Sequence, residues 1–411
     1  MSYQKVELSE VTSYIKRGTS PKYVEDGYLV LNQKCVRDNT VNFKLGRKSS
    51  KEKKNSLDKF IRVGDTLINS TGKGTLGRVG FVKELITETI VDTHVTIVRP
   101  IDEKIDPRFL GFQLFSNERE IELMGKGATN QTELSAKDLE KLKINLPPLP
   151  TQKKIASILS AYDDLIENNL KRIQLLEEAA QRIYKEWFVD FKFPNHENTP
   201  INKETGLPEG WGKKKLIEIY NKLESGKRPK GGINKDLKDG VPSIGAESVN
   251  GLGNFEFSKT KFLTEEFYST IKKGILENKD ILIYKDGAYI GKTALYQNDF
   301  PYSKCAVNEH VFLLNTKKRE YQYYLYFTLN TKEYYSKMQN LNSNAAQPGI
   351  NQKKLLQLEL YLPLIDENMA NFNDLVGVKI TQIYKLASVN YRLKEARDLL
   401  LPRLMNRTLE V

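Results

Sequence analysis

Several short stretches of the chain combine cationic, amide or hydroxyl side chains with glycine. They are Lys16-Arg17-Gly18, Asn32-Gln33-Lys34, Lys73 to Arg78 with Thr75 inside it, Asn130-Gln131, Lys227-Arg228 with Lys230, and Lys285 to Lys292 with Tyr289 inside it. Lysine and arginine in such loops attract phosphates whatever the base sequence, whereas arginine can grip guanine, and asparagine or glutamine adenine, through paired hydrogen bonds in the major groove. Asn32, Gln33, Arg78, Asn130 and Gln131 are therefore candidates for base discrimination in the first half of the chain, and Gln347 joins the candidates in the second. Any one of these residues alone would read as a solvated surface side chain.

Other chemistry finds little support. Gly72-Lys-Gly74-Thr-Leu-Gly77 matches the GxGxxG pattern that cradles a dinucleotide pyrophosphate at a helix start. Here, however, Arg78 to Val82 reads as a strand, and the second copy, Gly287 to Lys292, lacks the middle glycine, so a tight basic turn is expected. No GxxxxGK[ST] phosphate loop and no Asp/Asn-Pro-Pro-Tyr/Phe motif of amino-methyltransferases occurs. The three histidines, His94, His196 and His310, are not clustered with metal-ligand or triad partners, and Cys35 and Cys305 form no CxxC. His94 and His310 hold equivalent places in a repeat, but a histidine beside a strand ordinarily has a structural role. No catalytic residue, metal site or cofactor is expected in this chain.

The elements that must position these loops come in two sets. At 411 residues the chain exceeds one ordinary core, and its composition, 39% hydrophobic and 10% aromatic, is that of a folded soluble protein. Sixty-four Lys and Arg against 52 Asp and Glu give a net charge of +12, which favours a polyanionic partner. No apolar run long enough to span a bilayer and no signal-peptide pattern is seen, so a cytoplasmic protein without membrane association is expected.

Internal similarity organises the rest. Leu8, Gly18 and Pro21 correspond to Leu216, Gly226 and Pro229; Asp65-Thr-Leu-Ile with Gly72 to Asp280-Ile-Leu-Ile with Gly287; Thr93-His94-Val95 to Glu309-His310-Val311; and Leu134 to Pro147 to Ile350 to Pro363. Short apolar segments such as Thr66 to Asn69, Val95 to Arg99 and Ile281 to Tyr284 predict strands, and Pro107 to Met124 and Tyr321 to Leu341 predict helices late in each unit. Thr151 is placed to cap a helix running to Val189, about 58 Å long at ~1.5 Å per residue.

Its apolar residues follow a heptad seam: Ile155, Leu159, Tyr162, Ile166, Asn169, Ile173, Leu176, Ala180, Ile183 and Trp187. The end of the chain repeats the seam with Phe372, Val376, Lys379, Ile383, Leu386, Asn390, Leu393, Arg397, Leu400 and Leu404, and Pro402 predicts a stop or kink near Leu401. Asn169 and Asn390, one per seam, suit a register-setting role, while Lys379 and Arg397 imply looser pairing or charged heads reaching the rim. The prolines and glycines between Phe191 and Trp211 mark a linker. The expected fold is α+β: two repeated recognition domains, 1–150 and 213–363, with long helices over 151–190 and 364–411 forming an antiparallel coiled coil and a linker over 191–212.

Ile144-Asn-Leu-Pro-Pro-Leu-Pro-Thr-Gln-Lys-Lys-Ile155-Ala, Trp187-Phe-Val-Asp-Phe191, Gly206-Leu-Pro-Glu-Gly-Trp211 and Leu400-Leu-Pro-Arg-Leu404, set in this duplicated architecture, resemble type I restriction-modification specificity subunits over nearly the whole chain. The resemblance implies that each unit is a target-recognition domain reading one half of a bipartite double-stranded DNA site, and that the helices act as ruler and docking surface. It implies two methyltransferase subunits, which use S-adenosylmethionine to methylate adenine N6, and motor-nuclease subunits that use ATP and Mg. A stand-alone DNA-modifying enzyme and a protein-interaction scaffold without sequence reading are the alternatives.

Overall fold

The computed structural model describes residues 3–51, 56–127, 132–234, 236–341, 349–364 and 366–411. They form two compact units, one built from residues 1–166 and 393–411 and the other from residues 167–392. Each unit therefore takes part of each of two long helices, α5 (Leu149–Phe188) and α11 (Asp366–Met405).

In the first unit β1 (Gln4–Glu7) pairs antiparallel with β11 (Lys143–Leu146). A four-stranded sheet has the order β2-β10-β7-β8, from Thr12–Arg17, Val95–Pro100, Thr66–Asn69 and Val79–Phe81, all antiparallel. A three-stranded sheet has the order β6-β3-β9, from Arg47–Ser49, Tyr23–Leu31 and Thr89–Val91, and β4 (Val36–Arg37) and β5 (Thr40–Val41) form a small hairpin. Short helices α1 (Leu8–Val11), α2 (Pro107–Ser116), α3 (Glu118–Leu123) and α4 (Ala136–Glu140) complete the unit.

The second unit repeats this plan. β12 (Trp211–Lys215) pairs with β20 (Glu359–Pro363), and a four-stranded sheet has the order β13-β19-β16-β17, from Tyr220–Ser225, Val311–Thr316, Ile281–Tyr284 and Thr293–Leu295. A three-stranded sheet has the order β15-β14-β18, from Lys261–Leu263, Val241–Ile244 and Ala306–Val307. Helices α6 (Leu216–Ile219), α7 (Glu265–Thr270), α8 (Tyr321–Asn330), α9 (Lys332–Asn340) and α10 (Gln352–Leu355) are added around it. The duplication read in the sequence is thus a duplication of topology, in an α+β fold.

The inner strands form because their β-branched and aliphatic residues are covered on both faces: all four residues of β7 and all six of β10 are buried. The equivalent carboxylates Asp65 and Asp280 each accept the backbone N–H three residues earlier, from Arg62 and Glu277. Arg99 grips Asp65 with two hydrogen bonds of 2.8 Å, whereas Asp280 is held by Asn315 and Arg319 at 3.0 Å. The same buried charge is answered by different partners in the two copies.

Four local expectations need correction. The stretch Pro107 to Met124 is two helices, because Asn117 leaves helical geometry at φ −101°, ψ 10°. Likewise Tyr321 to Leu341 breaks at Thr331, which is extended and caps α9 by accepting from Tyr334 N–H at 3.3 Å. The first long helix starts at Leu149 rather than after Thr151: Pro150 sits in the first turn, where a missing N–H costs nothing. There the buried Gln152 side chain donates to Pro147 O and accepts from Asp106 N, both at 2.8 Å. Finally, α11 continues through Pro402 to Met405. One helical hydrogen bond is lost, but Leu401, Leu404 and Met405 are buried in the first unit's core and hold the last turn.

The two long helices pack antiparallel. In the first unit Ile155, Leu159 and Ile166 are buried, Tyr162, Leu393 and Leu400 half-buried, and Arg397 reaches Asp163 at 2.6 Å. In the second unit Asn169, Phe372, Val376, Ile383, Leu386 and Asn390 are buried, with Ile173, Leu176 and Ile183 half-buried. Trp187 there packs on Phe372 at 5.8 Å between ring centroids, so partners on α11 fall in number as those on α5 rise. Asn169 donates from Nδ2 to Asn390 Oδ1 at 2.9 Å, within the buried seam. Of the two seam cations, Lys379 does snorkel, donating to the exposed Leu375 carbonyl at 3.3 Å. Arg397 does not: it is 5% exposed, paired with Asp163 and Asp398, and lies 5.3 Å from the Phe115 ring centroid.

Two stability predictions follow from this seam. Asn169→Ala removes the amide that donates to Asn390 in the buried seam and is expected to lower unfolding stability by about 1–3 kcal/mol, while the double change to leucine recovers most of it. Arg397→Met leaves the Asp163 carboxylate, already pushed up by burial and held down chiefly by Arg397, without its main counter-charge. An expected loss of about 3–5 kcal/mol by denaturant titration checks that contact.

Candidate nucleic-acid interface

An antiparallel four-stranded sheet brings alternate strand ends to one edge, and both units use this to gather loops that are far apart in sequence. In the first unit the end of β2, the β7–β8 turn and the start of β10 meet there, since Arg17 pairs with Thr96 and Asn69 with Val95. Gly18 is required at this place: a Cβ would lie 1.8 Å from the Val91 carbonyl oxygen. In the second unit a Cβ on Gly226 would lie 1.6 Å from the Val307 carbonyl oxygen, so the same close passage is built twice.

The candidate residues are placed as follows. Lys16 is exposed; Arg17 is half-buried, donates to Leu134 O at 2.5 Å and pairs with Glu133, and burial lowers its pKa. Asn32 caps a short 3-10 turn by accepting from Lys34 N–H at 2.9 Å, and Lys34 itself is exposed. Gln33 lies against the Gly72 turn, and its carbonyl accepts from Asn69 Nδ2 at 3.0 Å. Thr75 donates to Thr71 O and Gly72 O within that turn, while Lys73 is exposed at its tip.

Gly72, Gly74 and Gly77 all have positive φ, and the chain passes directly into β8, so this is a tight basic turn rather than a dinucleotide cradle. Arg78 is half-buried at the start of β8. Beside it Glu118, which accepts from Val79 N–H at 2.7 Å, has its carboxyl pushed up to about 7 by burial, an effect that Asp38 adds to and Arg78 opposes.

In the second unit Lys227 and Lys230 are exposed and Arg228 pairs with Glu309 at 2.7 Å. Lys285 donates to Glu309 O at 3.1 Å and lies 3.3 Å from Asp286. Tyr289 is 56% exposed at the β16–β17 turn, with the half-buried Lys292 ammonium 4.3 Å from its ring centroid. Asn130, Gln131 and Gln347 lie outside the described residues.

The structure thus brings Arg17, Gln33, Thr75 and the His94 loop to one sheet end, and Arg228, Lys285 and the His310 loop to the equivalent end. Sequence reading missed several polar residues there: Asn69, Thr71, Glu133, Asp286 and Glu309. Thr71 and Asp286 could have been found by reading the residues just before Gly72 and Gly287 side by side, because they occupy the same repeat position. His94 Nδ1 is 2.6 Å from Thr71 Oγ1, whereas His310 Nδ1 lies 3.5 Å from Asp286 and its Nε2 lies 3.2 Å from Glu309. Partly exposed donors and acceptors on a rigid sheet end can bind phosphates and base edges; among the described residues no group of three or more His, Cys, Asp or Glu could hold a metal ion. No helix of the described residues is long and apolar enough to cross a membrane.

Comparison with known proteins agrees with this arrangement. The chain is 24% identical over 407 residues to a putative type I restriction enzyme MjaX specificity subunit of Methanocaldococcus jannaschii, covering 97% of this chain and 91% of that one. It is 25% identical over 420 residues to the MjaVIII specificity subunit of the same organism, covering 98% and 91%. In fold it is similar to the crystal structure of a type I restriction-modification S subunit from M. genitalium, with a TM-score of 0.59 at 16% identity over 98% of this chain and 96% of that one. The family model described as type I restriction modification DNA specificity domain matches twice, over residues 2–178 and 208–383, one copy for each repeat, and the chain therefore belongs to that family.

Proposed function

We propose that this chain is the address-reading subunit of a type I restriction-modification complex, each unit reading one half of a bipartite DNA target. The observation that carries this is the duplicated sheet end, which presents two similar frames with different side chains. That is what two dissimilar half-sites require. Exposed Lys16, Lys34, Lys73, Lys227 and Lys230 supply attraction to phosphates, and the half-buried Arg17, Gln33 and Arg78, with the exposed Arg228 anchored by Glu309, are better held for selecting bases.

The chain in this reading performs no chemistry. Its helices set the spacing between the half-sites and dock two methyltransferase subunits, which bring S-adenosylmethionine and methylate adenine N6. Motor-nuclease subunits, using ATP and Mg, join them to cut unmethylated DNA, all in the cytoplasm. The net charge of +12 supports the DNA partner, and the family membership supports the assembly.

Co-expression with the candidate modification subunit, followed by long-read mapping of N6-methyladenine, is expected to yield one gapped, two-part motif. A well-formed complex that yields no motif would favour the scaffold reading, and methyl transfer or cleavage by the purified chain alone would overturn the non-catalytic one. In the assembled complex, replacing Lys73 and Arg78 by alanine is expected to weaken DNA binding and to flatten the dependence of log affinity on log salt by about one to two units. Unchanged affinity and slope would remove that turn from the interface.

A further inference from the structure

The two sheet ends share their backbone and differ in their chemistry. His94 N–H donates to Asp92 Oδ1 at 2.8 Å and His310 N–H to Asn308 Oδ1 at 2.9 Å. Thr71 forms a bridge with Glu133 and Asp286 one with Gly349; Leu134 N–H donates to Ser70 O and Ile350 N–H to Lys285 O. Within this common frame Thr71 and Thr93 of the first unit are replaced by Asp286 and Glu309 of the second. Neutral hydroxyls stand at both places in one unit and carboxylates at both in the other.

Carboxylates are an odd choice for a surface that must approach phosphates, unless they do something that cations cannot. Arg228 at 2.7 Å and Lys285 at 3.3 Å offset their charge, so the cluster adds little general attraction for DNA. What it adds is acceptor capacity. The side chains of Asp286 and Glu309 are 27% and 32% exposed, so part of each carboxylate faces outward. A partly exposed carboxylate can accept, and in the DNA major groove the donors it can take are the exocyclic amino groups of cytosine and adenine.

We infer that Asp286 and Glu309 are specificity-determining residues of the second unit, accepting from an amino-bearing base, cytosine or adenine, in its half of the target. His310, whose counterpart His94 is present in the first unit, marks the shared frame rather than the base choice. Thr71 and Thr93 occupy the matching positions of the first unit, where a hydroxyl can give or accept a hydrogen bond and so fits a different base. This inference rests on the reading of the chain as a DNA reader.

The test uses the full chain in the assembled methyltransferase complex, with Asp286→Asn and Glu309→Gln singly and together. These changes keep shape and remove charge, and a thermal melt matched to that of the parent establishes folding. Long-read methylation mapping is expected to show one or two positions of the second half-site relaxing from an amino-bearing base to any base, with discrimination falling about tenfold or more, while the first half-site is unchanged. An unchanged second half-site overturns the inference. So does a uniform fall in methylation with the base preference intact, since the carboxylates would then only brace the loops. A parent complex that shows no motif at all fails one step earlier, at the functional reading itself, and removes this inference with it.

Discussion

The antiparallel contact between α5 and α11 is the interaction on which the rest of the molecule depends, because neither core closes without both helices. The first core includes Ile155 and Leu159 from one helix and Leu401, Leu404 and Met405 from the other. The second takes Ala180, Tyr184, Trp187 and Phe188 from the first helix and Phe372, Val376, Ile380 and Ile383 from the second. Burying each large aliphatic side chain contributes about 1.5–3 kcal/mol, so these contacts are comparable with the whole net stability of a domain. One consequence is that the last nineteen residues of the chain belong to the same unit as the first 166.

Polar groups in this seam choose among ways of pairing that hydrophobic residues alone would tolerate. Asn169 meets Asn390, and Arg397 meets Asp163; a shift of one turn would bury each without its partner. Arg397 shows why its position in the heptad did not predict looseness. A guanidinium with two carboxylates and an aromatic ring beside it can be buried, while the compact ammonium of Lys379 reaches an exposed carbonyl instead.

Sheet topology does for function what the seam does for stability. Strand order fixes which loops share an edge, and the two sterically required glycines, Gly18 and Gly226, let the chain cross neighbouring backbone on the way into those loops. With the frame fixed twice over, the side chains at its rim are free to differ: threonine in one copy, aspartate and glutamate in the other. A fold of this kind separates the requirement to fold from the requirement to discriminate, because the rim residues contribute little to either core.

Much of this was legible in the sequence. The heptad seams, the repeat and its drift, the strands at Thr66, Val95 and Ile281 and the basic turn at Gly72 are local patterns, set by periodicity and by backbone conformations that only glycine adopts easily. Helix boundaries were less legible, since Asn117 and Thr331 end helices by taking non-helical backbone conformations, while Pro150 and Pro402 are tolerated near helix ends. Several rim residues were named from the sequence, but which of them meet could not be read along the chain. Arg17 with Glu133, Gln33 with Asn69, Asp286 with His310, and Lys285 with Glu309 become neighbours only once antiparallel strands bring their ends together. The sequence by itself determined the two repeats, the two helices and their seam, because periodic burial is written residue by residue; tertiary structure alone decided which polar side chains face one another, because that depends on strand order and register across more than a hundred residues.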